Sequence, residues 1–227
     1  MNPSSHPFPA ALRGQLIVSC QAPPGDPLDD IDTLRRLAIS ALRGGAGGLR
    51  TNGVEAIRAF RGETALPILG ILKRYDQGEL CITPNFSAVQ KIAEAGADVV
   101  ALDCTVDRPA YSEPWPELVG RIHELGKPVL ADIATLEEAI AAEKSGADAV
   151  ATTLYGYTQQ TAGIRSPNWE LLDQLVKTIR VPIIAEGHLT RPEEVRRALD
   201  MGAFAVVIGA AITRPEAIAA RFVQAMR

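Results

Sequence analysis

Histidine, cysteine and aromatic side chains are scarce in this 227-residue chain, and each shortage removes a class of function. The three histidines are His6 near the start, His123 inside a helical pattern, and His188 in a polar loop where it is expected to be solvated. None stands at ligand spacing from another, so a metal site has no evident donor set. Cys20, Cys81 and Cys104 form no CxxC pair and are odd in number, which suits free thiols in a reducing cytoplasm rather than a disulfide framework. At a net charge of −4, Lys and Arg are scattered among Asp and Glu, leaving no basic stripe for nucleic acid. No uncharged apolar run approaches the roughly 20 residues that cross a bilayer. The Pro- and Ser-rich start lacks the charge and apolar run of a secretory signal. Residues 1–10 are therefore expected to form a disordered tail, and residues 11–227 a single cytoplasmic domain.

The remaining composition, 47% hydrophobic and 22% charged, is enough for a sizeable core. Short apolar runs recur: Gln15–Ser19, Gly48–Arg50, Ile68–Leu72, Val99–Leu102, Val129–Ala131, Ala149–Thr152, Val181–Ala185 and Ala205–Ile208. They read as about eight strands. Between them lie amphipathic stretches such as Ser87–Ala95, Leu136–Lys144, Pro192–Met201 and Pro215–Ala225, with Thr135 and Thr190 as capping hydroxyls ahead of acidic first turns. Gly45–Ala46–Gly47, Gly96–Ala97–Asp98, Gly146–Ala147–Asp148 and Gly202–Ala203–Phe204 each close a helix just before a strand, at roughly fifty-residue intervals. Four repeats of two βα units predict a single α/β domain, a closed (β/α)8 TIM barrel. An open doubly wound sheet would more often show a GxGxxG or GxxxxGK[ST] turn, and neither motif is present.

Chemistry in such a barrel sits where the strands end. Those positions carry Gln21, Arg50, Lys73, Asp103, Asp132, Thr152 with Thr153, and Glu186, and the eighth strand ends in Gly209. A lysine at the mouth, partly desolvated and near cations, can work as acid or base, and a carboxylate at Glu186 has no packing rationale. Asp132 is either a site group or a partner for Arg50 or Lys73. Gly187 and the run Gly209–Ala210–Ala211 follow strands seven and eight, where many barrels hold a phosphate on backbone N–H groups, and Arg214 stands close enough to assist.

These segments resemble a known family in order along nearly the whole chain. Ser19–Ala22, Leu49–Gly53, Gly70–Arg74, Ile82–Pro84, Ala101–Asp103, Ala131–Ile133, Thr153–Thr158, Ala185–Gly187 and Ile208–Pro215 look like the corresponding stretches of N-acetylmannosamine-6-phosphate 2-epimerases. The resemblance implies a ribulose-phosphate-binding-barrel-like fold. It implies interconversion of N-acetylmannosamine 6-phosphate and N-acetylglucosamine 6-phosphate in sialic acid and amino-sugar catabolism, with no metal or nucleotide cofactor. It maps catalytic roles onto Lys73 and Glu186, substrate binding onto Gln21, Arg50, Asp132 and Arg214, and phosphate binding onto Gly187, Gly209 and Ala210. Three stretches depart from the pattern: the proline-rich run Ala22–Leu28, Tyr75 where an acidic residue is usual, and Asp107–Trp115.

Epimerisation at C2 requires the proton alpha to the C1 carbonyl to leave one face and return on the other, through an enolate. Strands three and seven lie opposite each other in an eight-strand ring, so Lys73 and Glu186 are expected to face one another. Which works on which face stays open. A Schiff-base aldolase or lyase using Lys73 and a non-catalytic sugar-phosphate-binding barrel are the rival readings. Exposed barrel helices commonly pair, and a homodimer is the expected association.

Overall fold

The computed structural model describes residues 7–76 and 79–226. Eight parallel strands close into a barrel: β1 (Leu16–Ser19), β2 (Gly48–Asn52), β3 (Ile68–Ile71), β4 (Val99–Asp103), β5 (Val129–Asp132), β6 (Ala149–Ala151), β7 (Ile183–Glu186) and β8 (Ala205–Ile208). Each pairs with its neighbours in sequence, and β8 returns to β1 through Leu16–Val206, Ile17–Val207 and Val18–Ile208. Outside run α1 (Ile31–Arg43), α2 (Val54–Arg61), α3 (Phe86–Glu94), α4 (Trp115–Glu124), α5 (Leu136–Lys144), α6 (Trp169–Thr178), α7 (Pro192–Asp200) and α8 (Pro215–Gln224), the last preceded by the four-residue helix Ala210–Thr213.

Side chains alternate along each strand, and the alternation sorts the core into two bodies. Ile17, Leu69, Ile71, Val99, Ala101, Leu130, Ala149, Ala151, Ile184, Ala205 and Val207 fill the barrel interior. Val18, Leu49, Ile68, Val100, Leu102, Val129, Val150, Ile183 and Val206 face outward onto helix residues such as Ile57, Ile92, Leu118 and Leu175. Burying each such side chain contributes roughly 1.5–3 kcal/mol before entropy is subtracted.

The fifty-residue repeat has a structural cause. Gly45, Gly96, Gly146 and Gly202 all adopt positive φ, 95°, 107°, 95° and 106°, which turns the chain from helix end into strand. In the middle two repeats an aspartate does more. Asp98 Oδ2 accepts the Ile68 N–H at 2.8 Å, and Asp148 Oδ2 accepts the Val129 N–H at 2.7 Å, pinning each strand to its neighbour.

Four expectations need correction. Phe8 to Ala10 are not part of a free tail: Phe8 is buried edge-on against Phe204, and a 3-10 turn at Ala10–Leu12 drives Leu12 into the bottom of the barrel. Residues 1–6 lie outside the described residues. The seventh strand begins at Ile183, because Pro182 has no N–H for the ladder; its carbonyl accepts from Val150 at 3.0 Å. Helix α7 is capped by the Glu194 carboxylate, which accepts the N–H groups of Thr190 and Arg191, whereas Thr135 does cap α5 in a reciprocal pair with Glu138. Finally, the connection from β3 to α3 carries a hairpin, Lys73–Asp76 antiparallel to Glu79–Ile82, that no alternating apolar pattern announced. Its residues Arg74, Tyr75, Glu79 and Leu80 are exposed.

Candidate active site

Continuing the inward alternation by one step past the apolar interior brings Ser19, Arg50, Asp103, Asp132 and Glu186 to the barrel's C-terminal mouth. Arg50 is the hub. Its side chain is 1% exposed, and its Nη1 and Nη2 donate to Asp132 Oδ1 and Oδ2 at 3.0 and 2.6 Å. Nη1 also donates to Thr153 Oγ1 at 3.2 Å and to Glu186 Oε2. Thr153 Oγ1 in turn donates to Asp132 Oδ1 at 2.6 Å. Both Asp132 oxygens are thus engaged, which makes it the partner of Arg50. Burial opposes the Arg50 charge, but the Asp132 and Glu186 carboxylates outweigh it and raise the guanidinium's pKa further.

Glu186 sits on β7 with its backbone held by Thr152, whose Oγ1 accepts the Glu186 N–H at 3.0 Å and donates to its carbonyl at 2.7 Å. Burial pushes its carboxyl above the ordinary range, against Arg50, with Asp132 adding to the rise. Gly187 follows at φ 99°; a Cβ there would meet the Thr152 carbonyl at 3.3 Å.

Lys73 begins the hairpin on the opposite wall, half-buried, its N–H donating to Asn52 Oδ1 at 2.7 Å. Burial first, then the Arg50 cation, lowers its pKa; Glu186 and Asp132 oppose, and Arg214 adds to the lowering. The amine therefore lies within the fields of Arg50, Glu186, Asp132 and Arg214.

At the β7–β8 side, Gly209 caps the short helix, and the N–H groups of Gly187, Gly209 and Ala210 carry no hydrogen bond to another described residue. Arg214 Nη2 is held by Asp26 Oδ2 at 2.9 Å, so the proline-rich β1–α1 loop reaches this end of the site. Gln21 Nε2 donates to Ser19 Oγ at 2.8 Å. Among the described residues, the buried side-chain nitrogen and oxygen atoms without a hydrogen-bond partner are Gln21 Oε1, Arg50 Nε and Arg214 Nε. All three belong to residues singled out from the sequence for substrate binding, and buried polar atoms are rarely left unpaired away from a ligand site.

Thr153, Asn52 and Asp26 complete this arrangement. Thr153 carried a signal as a polar residue at a strand end; Asn52 and Asp26 carried none, because their roles depend on the hairpin and on loop closure. His188 is packed rather than solvated, stacked on Tyr157 with ring centroids 5.3 Å apart and Nε2 2.9 Å from the Tyr155 carbonyl. The three thiols are buried and unpaired, with burial pushing Cys20 up to about 12 and Cys81 up to about 11, so neither is a ready nucleophile. Among the described residues no group of three or more His, Cys, Asp or Glu is arranged for a metal ion, and no helix is long and apolar enough to cross a membrane. A cavity of about 310 Å³ lies aside from the cluster, between Trp115, Thr135 and Val106, and none of the mouth residues named above lines it. The unpaired polar atoms and opposed titratable groups locate the site better than that mostly apolar space.

Residues 34–227 match the family described as "Putative N-acetylmannosamine-6-phosphate epimerase". A 2-epimerase of that name from Clostridium perfringens (strain SM101) is 44% identical over 217 residues, covering 95% of this chain and 98% of the relative. One from Caldanaerobacter subterraneus is 45% identical over 215 residues, covering 93% and 91%. The solved N-acetylmannosamine-6-phosphate 2-epimerase from C. perfringens superposes with a TM-score of 0.90 at 45% identity, covering 95% of this chain and 94% of that one. Thiamine phosphate pyrophosphorylase from Pyrococcus furiosus, at a TM-score of 0.64 and 18% identity, shares the fold alone. With the family matched over most of its length and the barrel superposed, the chain belongs to the N-acetylmannosamine-6-phosphate 2-epimerase family.

Proposed function

We propose that this protein interconverts N-acetylmannosamine 6-phosphate and N-acetylglucosamine 6-phosphate by moving the C2 proton between Lys73 and Glu186. The observation that carries the assignment is their placement: Lys73 follows the end of β3 and Glu186 ends β7, four strands apart in a ring of eight, with Glu186 hydrogen-bonded to Arg50 and Lys73 within the fields of Arg50 and Asp132. Their proton affinities are displaced toward one another, Lys73 downward and Glu186 upward, which suits two groups that exchange roles in forward and reverse reactions.

In the open-chain sugar one of the pair takes the C2 proton, and the electron pair of that C–H bond moves into the C1–C2 bond as the carbonyl becomes an enolate oxygen. The other group returns a proton to C2 from the opposite face and the carbonyl reforms, so nothing is oxidised or reduced. Arg50, fixed by Asp132 and Thr153, supplies positive charge for the enolate. Gly187, Gly209, Ala210 and Arg214 take the phosphate, a role supported by their free N–H groups and by the unpartnered Arg214 Nε.

The test is to mix purified protein with N-acetylmannosamine 6-phosphate, without added metal, and follow the C2 epimer by NMR in D2O. Turnover with deuterium entering at C2 is expected. Absence of turnover leaves only a binding barrel, and a borohydride-trapped adduct on Lys73 would favour Schiff-base chemistry instead.

Two further assignments belong to this proposal. Helix α8 buries no side chain and leaves Phe222 and Val223 exposed, which supports a homodimer through that face, to be checked by sedimentation. A cytoplasmic setting is supported by the three unpaired thiols.

A further inference from the structure

Arg108 stands in the loop between β4 and α4, and its guanidinium serves three backbone sites at once. Nη2 donates to the carbonyls of Thr83 and Pro84 at 3.0 and 2.9 Å. Nη1 donates to the Asp103 carbonyl at 2.6 Å, with Ile82 at 3.5 Å, and Nε donates to the Glu113 carbonyl at 3.1 Å. The hairpin's return, the end of β4 and the entry to α4 are tied together by one side chain.

Thr83 is what makes this tie bear on the active site. It is fully buried and holds φ at 53°, a left-handed conformation that a β-branched residue adopts only when its surroundings force it. From that position its N–H donates to the Leu72 carbonyl at 2.9 Å, and its Oγ1 accepts the Leu72 N–H at 3.3 Å. Leu72 immediately precedes Lys73, and Lys73 pairs with Ile82 across the hairpin. The rest of the hairpin projects from the barrel; this loop also reaches it through the Tyr111 hydroxyl, on the Arg74 and Glu79 carbonyls at 3.1 and 3.4 Å on the exposed side, and the Glu113 N–H donates to the Pro84 carbonyl at 2.8 Å beside the Arg108 clamp. The chain of contacts from Arg108 through Thr83 and Leu72 therefore fixes where Lys73 starts from the hairpin side, while Asn52 Oδ1 holds the Lys73 N–H at 2.7 Å from β2.

We propose that Arg108 is a positioning residue for Lys73: by clamping the Ile82–Pro84 turn onto the end of β4, it holds the lysine amine beside the Arg50–Glu186 cluster. The inference rests on the reading of Lys73 as a proton-transfer group. Arg108 works through geometry, because only a planar, forked donor reaches three carbonyl sites together, and a lysine of equal charge cannot.

The experiment compares wild type, Arg108→Lys, Arg108→Ala and Lys73→Ala as full chains. Solvent deuterium entry at C2 is measured starting from each epimer, and Lys73 ionisation is followed by NMR after reductive methylation with labelled formaldehyde. Exchange from the epimer that Lys73→Ala disables should fall by about 100-fold in Arg108→Lys, as expected for an ångström-scale misplacement. Exchange from the other epimer and KM should change little, and the Lys73 amine should titrate closer to an ordinary lysine. Wild-type exchange in Arg108→Lys, equal slowing from both epimers, or unchanged Lys73 ionisation overturns the proposal. If Lys73→Ala leaves exchange intact, the proton-transfer reading of Lys73 fails, and the ionisation measurement still decides whether Arg108 places the amine. Should Arg108→Ala not fold, Arg108→Lys alone carries the test.

Discussion

Arg50 and Asp132 meet through two parallel hydrogen bonds, at 3.0 and 2.6 Å, with side chains 1% and 0% exposed. An ion pair so deeply buried is weak evidence for stability, since desolvation offsets most of the attraction, but breaking it leaves a charge with nowhere to go. Asp132→Ala should therefore destabilise the fold by about 3–5 kcal/mol in urea unfolding. Replacing both residues with apolar ones should cost clearly less than the two single changes summed, as a double-mutant cycle would show. Both variants should lose activity, because Glu186 loses its hydrogen-bond partner or the field around it.

Lys73 makes a second prediction about stability. Its folded pKa lies below the ordinary value of 10.5, so the unfolded chain binds the proton more tightly and stability rises with pH between the folded value and 10.5. Below the folded value the protein carries the full cost of a poorly solvated ammonium. Lys73→Met should therefore be more stable than wild type at neutral pH, and its advantage should shrink as pH climbs through that window. Thermal melts across pH read this directly; a constant difference would show that the amine is not perturbed.

Much of this arrangement was legible in the sequence because it follows from period two. Once Ile184 points inward Glu186 must as well, and the same holds for Leu130 with Asp132 and Ala101 with Asp103. The glycine repeat marked the helix ends for an equally local reason. What stayed hidden were contacts between distant segments. Nothing in Lys73–Asp76 and Glu79–Ile82 alternates like a half-buried strand, since the hairpin packs only by its base. Asp132 had two open readings, and the choice needed the distance to Arg50. Asp26 lies in a loop whose course no pattern specifies, and Arg108 spends its charge on carbonyls, which every residue has.

The Arg214–Asp26 contact separates binding from chemistry. Asp26 is 7% exposed and holds Arg214 through one nitrogen, leaving Nε buried and unpaired beside the phosphate end. Removing a charged hydrogen-bond donor typically costs about 1.5–3 kcal/mol, so Arg214→Ala should raise KM by roughly 10- to 100-fold. kcat should be affected less, because the phosphate takes no part in the proton transfer and Arg214 is the last-named of the charges acting on Lys73. Asp26→Asn, which frees the guanidinium without removing it, should alter KM less than Arg214→Ala. An Arg214→Ala variant with unchanged KM would remove Arg214 from the phosphate site.

The pH dependence of kcat/KM reports the free enzyme, and here the two limbs have separate owners. For the epimer whose C2 proton Glu186 takes, the working form has Glu186 ionised and Lys73 protonated; for the other epimer the same single proton is shared by the pair with the roles exchanged. The acid limb should then lie above the ordinary glutamate value of 4.5, because burial raises Glu186, and the alkaline limb below 10.5, because burial and Arg50 lower Lys73. The result is a bell narrower than two unperturbed groups would give. Asp132→Asn tests the assignment, since the Asp132 charge contributes to the Glu186 rise and supports the Lys73 ammonium. Removing that charge should move both limbs to lower pH, as both groups then lose protons more readily. Initial rates at saturating and subsaturating substrate across pH separate these limbs, and an acid limb that stays fixed in Asp132→Asn would mean that Glu186 does not set it.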